Sequence, residues 1–283
     1  MEPVGEDRQP LSVCTIGDLI LDVLVLPSRP LVSDADTPAT IRLAAGGQAA
    51  NVAAWCSAQG ARSRLICRRG SDSSTRLAGA ELERHGVEVC GPVVEGRGGV
   101  VVSLREDGGR RTMASDRGVA AGLAASELDP AWLGSCDVLH VSGYCLLREP
   151  MVEAAIEAAR LIRGSDPDRP GRVTVDLASA HDIEILGAAT FTERLEALAP
   201  DLAFATEAER AAVPGFDAAW VIKLGSRGAR FPEGFYPAPA VDVLDATGAG
   251  DALAAGYLVG GPERAIELAA RAVGLLGAMP PLA

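Results

Sequence analysis

The chain is poor in aromatic residues, 4% of its 283 positions, and contains no Gly-Lys-Ser or Gly-Lys-Thr step, which excludes a Walker-type phosphate loop. It has no CxxC pair. Cys14, Cys56, Cys67, Cys90, Cys136 and Cys145 are scattered, several among apolar neighbours. That distribution argues against a metal cluster and for thiols acting as small hydrophobes in a reducing, cytoplasmic setting. Positive charge is scarce too: 26 Lys and Arg face 38 Asp and Glu, a net charge of −12 with pI near 4.8. Nucleic acid and acidic membrane both need a basic surface, so neither is expected as a partner. No basic segment followed by an apolar run opens the chain, and no apolar run reaches a membrane-spanning length. No linker divides it. Residues 1–10, MEPVGEDRQP, are polar with two prolines and are expected to be a disordered tail.

What is present is enough for one large core: 48% hydrophobic residues and a mean hydropathy of +0.18. Strand-like runs at 13–17, 87–90, 138–142, 173–176, 202–205 and 220–224 alternate with helix-like segments at 48–59, 73–85, 150–163, 189–198, 206–213, 248–259 and 262–277. Such alternation predicts an α/β fold with a mostly parallel central sheet flanked by helices. Gly60 and Gly86 stand just past helix-like runs, where left-handed caps are expected. Two pieces depart from the pattern. Residues 40–43 alternate like a strand, and 100–105 with 110–114 read as a hairpin around Glu106-Asp107-Gly108-Gly109.

The most informative stretch is VLDATGAGDALAAGY at 243–257. A strand-like ending runs into Asp245, Thr247, Gly248, Ala249, Gly250 and Asp251, and then into an Ala/Leu-rich helix. Small residues at a helix start leave its first N–H groups pointing outward, the dipole adds positive charge, and no side chain blocks a phosphate. Asp251 would repel that phosphate unless it takes a proton from the attacking nucleophile. Two plainer readings compete, an acid favoured by the helix dipole and glycines serving a turn. A dinucleotide site fits poorly, since Leu253 stands where a third glycine belongs.

DATGAGDALAAG resembles the C-terminal signature of the ribokinase-like carbohydrate kinases, the PfkB family, and GGQAANVAAWCSAQGA at 46–61 resembles their N-terminal signature. The likeness continues through CRRGSDSSTRLAGAELERHGVEV, HVSGYCLL, VTVDLAS and VIKLGSRGA, nearly the whole chain from Val13 onward. It implies a three-layer ribokinase-like fold over 11–283, a single domain with a discontinuous β-strand lid at roughly 23–45 and 97–117. The implied activity is ATP-dependent phosphorylation of a sugar hydroxyl with Mg2+, in the cytoplasm, without nucleic-acid or membrane partners; a homodimer through the lid is compatible with it. A nucleoside acceptor on the same fold, or a non-catalytic sugar-binding homologue, stays open. The scarcity of aromatic residues leans toward a sugar.

By the same resemblance Asp251 is the catalytic base, with Gly248, Ala249 and Gly250 stabilising charge on the transferring group. Asp22 matches the sugar-binding aspartate and Asn51 an asparagine that contacts sugar hydroxyls; Asp18, Gly46 and Gly47 complete the acceptor side. Arg111 and Arg117 are either solvated charges or ligand contacts. Lys223, Gly225, Ser226 and Gly228 lie where the family lines its ATP site, with Thr247 beside them. Thr206-x-x-Glu209 occupies the place of N-x-x-E, whose glutamate holds magnesium through water, yet T-x-x-E is equally a capping box. Asp245 and Thr247 match a monovalent-cation site, whereas the ending RAVGLLGAMPPLA departs from the family's and puts K+ dependence in doubt.

Overall fold

Side chains on opposite faces of the central strands sort into two separate cores. In the computed structural model, which describes residues 9–105, 111–166, 168 and 170–282, β1 (Ser12–Ile16) sends Cys14 and Ile16 to one core and Val13 to the other. In β12 (Leu202–Thr206), Ala203 and Ala205 face the first core, Leu202 and Phe204 the second. Burial on both faces is what a parallel sheet with helices on each side requires.

Seven strands of this sheet run parallel: β1, β4 (Arg62–Ile66), β6 (Val87–Cys90), β10 (Val138–Ser142), β11 (Arg172–Asp176), β12 and β13 (Trp220–Lys223). A hairpin of β14 (Ala229–Phe231) and β15 (Gly234–Tyr236) extends one edge antiparallel, giving the order β15-β14-β13-β12-β11-β10-β1-β4-β6. Helices α3 (Met151–Gly164) and α5 (Ala188–Leu198) supply the first core, α1 (Gln48–Ser57) and α7 (Ala249–Val273) the second. A third core under α2 (Ser73–Arg84) gathers Leu19, Leu21, Leu65, Ala78 and Leu82. Two short helices, α4 (Ala180–Leu186) and α6 (Glu207–Ala211), follow β11 and β12.

A second sheet, ordered β3-β2-β8-β9, is built from β2 (Ile20–Pro27), β3 (Ala39–Gly46), β8 (Gly99–Arg105) and β9 (Arg111–Asp116). The turn read at 106–109 lies outside the described residues, as do 1–8 of the tail. A two-stranded ladder of β5 (Arg69–Gly70) and β7 (Val93–Val94) stands apart. No described helix is long and apolar enough to cross a membrane.

The structure departs from the sequence reading in several places, one of them at 243–244, which carry no strand where a strand-like ending was read. β4 was not expected: Arg62 and Arg64 alternate with Ser63 and Leu65, so a buried strand carries a polar composition. The segments at 248–259 and 262–277 are two helical stretches that meet at Gly261, whose non-helical φ of 77° ahead of Pro262 breaks the run, and the second ends at Val273 rather than 277. The Cys14 and Cys136 side chains meet sulfur to sulfur, Cα atoms 6.1 Å apart, a pairing that the scattered cysteines did not foretell. Cys14 lies in β1 and Cys136 two residues before the neighbouring β10, 122 positions apart, so no spacing motif marks them. The other four cysteines are buried thiols, and burial pushes those of Cys56 and Cys67 up to about 12.

Past α7 the chain turns back over α1. Trp55, 1% exposed, donates its indole N–H to the Ala278 carbonyl at 2.8 Å, and the Gly277 amide donates to Asp245 Oδ2 at 3.1 Å. The C-terminal segment thus braces the loop that enters α7. Trp55→Phe keeps the apolar ring and removes the donor, leaving a buried carbonyl unpaired. Stability should fall by about 1–3 kcal/mol, read as a lower urea midpoint at unchanged slope; an unmoved midpoint would show that this bond does not brace the segment.

Candidate active site

Parallel strands end together, and the loops beyond their C-terminal ends form a crevice where α/β proteins bind ligands. Here β10, β11 and β13 end at Ser142, Asp176 and Lys223, beside the start of α7. Ser142, Lys223 and Leu177, the residue after Asp176, line a cavity of about 630 Å³ together with Asp18, Asp22, Asn51, Glu209, Thr247 and Asp251.

The α7 start is tightly determined. Gly248 is its cap, at φ 75°, and a Cβ there would lie 2.6 Å from the Ala278 Cα, so the position needs glycine on both conformational and steric grounds. Ala249 and Gly250 form the first turn, whose amides have no helical acceptors. Asp251 follows and accepts a 2.7 Å hydrogen bond from Asn51 Nδ2, across 200 residues of sequence. Asp245 fixes the approach: its Oδ1 accepts from the Thr247 amide at 2.9 Å and hydroxyl at 2.6 Å, and its Oδ2 from Gly277.

On the acceptor side, Asn51 is 6% exposed and its Oδ1 is buried without a hydrogen-bond partner, an acceptor available to a ligand hydroxyl. Gly46 lies directly beneath the Asp22 carboxylate; a Cβ would meet Asp22 Oδ2 at 2.3 Å, so glycine is what lets that carboxylate sit there. Gly47 caps α1 at φ 105° and touches the Asp18 carbonyl in the same close manner. Asp18 is 4% exposed, takes an ion pair from Arg117 on Oδ2, and has a buried Oδ1 without a partner. The Arg117 guanidinium also lies 4.2 Å above the Tyr144 ring. Burial pushes the Tyr144 hydroxyl up, with Asp182, Asp251 and Glu209 adding to the shift and Arg117 opposing it.

The nucleotide-side residues separate into two groups. Lys223, Thr247 and Glu209 line the cavity; Gly225 and Ser226 lie exposed on a turn, and Gly228 is buried behind it, none of them lining that cavity. Thr206 and Glu209 form the capping box in full: the Glu209 amide donates to Thr206 Oγ1 at 3.2 Å and the Thr206 amide to Glu209 Oε2 at 2.7 Å. Lys223 donates to Asp176 Oδ1 at 2.5 Å. Burial depresses the Lys223 ammonium, but Asp176, Glu209 and Asp251 more than offset that, so it remains a cation. No group of three or more His, Cys, Asp or Glu among the described residues forms a metal cage. A donor set of one glutamate beside helix amides and an ammonium suits a magnesium held chiefly through nucleotide phosphates.

Sequence reasoning left Arg117 open, and it missed Tyr144, Arg148, Asp176 and Asp182, which lie in or directly against the cavity. Their common signal is position. Asp176 ends the run VTVD and Tyr144 follows the run ending at Ser142, at the C-terminal ends of strands that the sequence did mark. Arg111 begins β9, and its side chain is outside what is described.

The model of the pfkB family carbohydrate kinases matches residues 11–272. A protein of Halopiger xanaduensis named ATP-dependent ribose-1-phosphate kinase is 32% identical over 281 residues, covering 91% of this chain and 88% of that one. Among solved structures, adenosine kinase from Sinorhizobium meliloti superposes with a TM-score of 0.81 at 20% identity, 96% of both chains covered. A putative ribokinase II from E. coli, in complex with ATP and Mg2+, gives 0.78 at 21% identity, again over 96% of both. At such identities the two structures speak to the fold, which is the same layered α/β arrangement. Matched over nearly its whole length, the chain belongs to the pfkB family of carbohydrate kinases.

Proposed function

We propose that in this ATP-dependent sugar kinase Asp251 takes the proton of an acceptor hydroxyl while that oxygen attacks the γ-phosphorus of ATP. The observation that carries the reading is the Asn51–Asp251 hydrogen bond, which fixes a carboxylate inside the first turn of α7 at the meeting point of the acceptor and nucleotide sides. Asp22, Asp18 and Asn51 hold the sugar hydroxyls, and Gly46 and Gly47 let the backbone come close to it. The amides of Gly248, Ala249 and Gly250 oppose the charge that builds on the transferring group, a preorganised arrangement that needs no rearrangement during the reaction. Bound Mg2+ would neutralise nucleotide phosphates, with Glu209 holding it through water, since the capping box commits Glu209 Oε2 and leaves the side chain facing the cavity. Asp245 is assigned to bracing the loop rather than to a monovalent cation, because both its oxygens already accept hydrogen bonds from the protein.

The Halopiger relative makes a pentose or pentose phosphate the first acceptor to test. A sugar suits the cavity better than a nucleoside: the ring of Tyr144 has one face taken by Arg117, which reduces what is left to stack on a base. The second sheet acts as a lid that excludes water. Its Ile41 and Leu43, 61% and 54% exposed, offer an apolar face for a second copy of the chain. A cytoplasmic setting, where ATP is abundant, completes the reading.

Release of ADP, screened over pentoses, pentose phosphates, hexoses and nucleosides, tests it. Asp251→Asn should lower kcat by roughly 10²–10⁴ on the best acceptor while ATP and sugar affinities barely change. A variant that keeps most of its activity removes Asp251 as base, and silence of the parent with every acceptor alongside tight sugar binding would favour a binding protein.

The Thr206–Glu209 pair separates capping from metal binding. Gln serves a capping box as Glu does, so Glu209→Gln should leave the melting temperature nearly unchanged while raising the Mg2+ concentration for half-maximal activity. Thr206→Asn should lower it, an amide oxygen reaching farther than a threonine hydroxyl, with stability altered by at most about 1 kcal/mol. Magnesium titrations that overlay the parent's in both variants would assign the segment to capping alone.

A further inference from the structure

Three cations line the cavity, Arg117, Arg148 and Lys223, against six carboxylates. Arg117 is paired with Asp18, and Lys223 with Asp176. The Arg148 side chain is exposed and makes no hydrogen bond or ion pair among the described residues. The acid beside it in the chain is engaged elsewhere, since Glu149 accepts from Arg194 of α5 at 3.0 Å. Arg194 also donates to the Leu146 carbonyl at 2.7 Å, and the Arg148 carbonyl accepts from the Val152 amide of α3 at 3.1 Å. The turn that carries Arg148 is thus pinned on both sides of it, and its guanidinium is left uncommitted at the cavity wall. Its place in the sheet says which ligand it meets. Arg148 follows β10, the neighbour of β1, and β1 leads into Asp18 on the acceptor side. Lys223 ends β13, three strands away, roughly 14 Å at the usual strand spacing. At the acceptor end Asp18 Oδ1 and Asn51 Oδ1 are buried without partners and belong to residues that line the cavity, so that end is built to take a ligand's hydroxyls. Those acceptors serve a neutral sugar. A guanidinium beside them is matched by something else, because its planar fork fits phosphate oxygens two at a time.

We propose that Arg148 is a specificity-determining residue that holds a phosphate group already present on the acceptor, so that the preferred substrate is a sugar phosphate rather than a free sugar. The inference rests on the kinase reading and narrows its substrate class. The acceptor's own phosphate takes no part in the transfer. A bond forms between one of the acceptor's free hydroxyl oxygens and the γ-phosphorus, and the bond from that phosphorus to the β–γ bridging oxygen breaks. The electron pair stays with ADP, the hydroxyl proton goes to Asp251, and the product is a sugar bisphosphate. Charge favours the assignment. An anionic group brought in among six carboxylates needs a cation that no acid has yet neutralised, and among the described lining residues Arg148 is the one that supplies it.

The test compares ribose 1-phosphate, ribose 5-phosphate, glucose 1-phosphate and fructose 6-phosphate, each beside its free sugar, with the parent, Arg148→Met and Arg148→Lys. ADP release, binding by calorimetry and melting temperature are read for each protein. The parent should use at least one of the phosphates more than about tenfold better in kcat/KM than the matching free sugar. Arg148→Met should lower kcat/KM for that phosphate about 10–100-fold, chiefly through KM, the size of one lost charge-assisted contact. Use of the free sugar and affinity for ATP should stay within about twofold, and the melting temperature should not move, since the side chain is exposed. Arg148→Lys should recover part of the loss, because it returns the charge without the fork. Equal losses for phosphate and free sugar, a loss confined to ATP, or a parent that favours free sugars would each overturn the proposal. Should the parent release no ADP with any acceptor, the kinase reading fails and calorimetry still decides this one. Tighter binding of a sugar phosphate than of its free sugar, abolished in Arg148→Met, supports it, and the absence of that difference overturns it.

Discussion

A molecule of net charge −12 that acts on a polyanion must build its attraction locally, and that constraint shapes the whole crevice. At distances beyond roughly 10 Å salt screens the acidic surface, so what the phosphates meet is set by the groups within a few ångströms. On the proposed chemistry those groups are the amides at the α7 N-terminus and the Lys223 ammonium, while Arg117 and Arg148 also line the cavity and Glu209 and Asp251 stand beside them as acids. Carboxylates here are tolerable only because each has a cationic or N–H neighbour: Asn51 for Asp251, the Thr206 amide for Glu209, Lys223 for Asp176. Burial pushes the Asp176 carboxyl up to about 7, with Asp251 and Glu209 adding to the shift and Lys223 opposing it. The lysine therefore does more for Asp176 than a solvent-exposed partner could.

Holding the first turn of α7 in place takes a brace from outside the helix. The C-terminal segment supplies it with two contacts to the loop and one that ties the segment itself to α1. Ala278 packs on Gly248, Gly277 donates to Asp245, and the Ala278 carbonyl is tied to Trp55 of α1. Because α1 also carries Asn51, the element that orients Asp251, the base of the proposed reaction, and the element that anchors the loop are one helix. A shift of α1 would move base and amides together, which preserves their mutual geometry better than independent supports would.

The sequence made the layers legible because their physical signal is strong and local. Apolar runs such as VLHVS and VTVD mark strands buried on both faces, and Gly60 and Gly86 do take left-handed conformations, φ 85° and 76°. It hid β4, where arginines whose aliphatic stems pack while their heads reach out give a polar reading to a buried strand. It hid the Cys14–Cys136 pairing because which loop ends beside which parallel strand is unrelated to spacing along the chain. In the crevice, residues carried by a motif were legible, Asp251, Asn51 and Asp22 among them. Arg117, Tyr144 and Asp176 were less so, since each is a single residue at a strand or loop end whose meaning depends on a partner about 30 to 100 positions away. The LGSRG turn lies outside the lining of that cavity: Gly225 and Ser226 are exposed, and Gly228 takes φ 107° with its backbone against Tyr236.

Arg117 joins the two sheets in a way that bears on the chemistry. It follows β9 of the second sheet, pairs with Asp18 in the loop between β1 and β2, and covers Tyr144 beyond β10, so one side chain touches the loops of two central strands. The Asp18 carboxylate is 4% exposed, and a charge so removed from water is stable only while its partner stays. Lifting the second sheet would strip Arg117 from Asp18 and leave that carboxylate to be rehydrated, which ties entry of water into the crevice to the position of the sheet. On the proposed chemistry this coupling has a direction. A sugar that satisfies the buried, unpartnered oxygens of Asp18 and Asn51 stabilises the covered arrangement in which γ-phosphoryl transfer proceeds, whereas water alone satisfies them best when the sheet is away. Discrimination against hydrolysis then follows from the same carboxylate that grips the acceptor, and needs no separate gate.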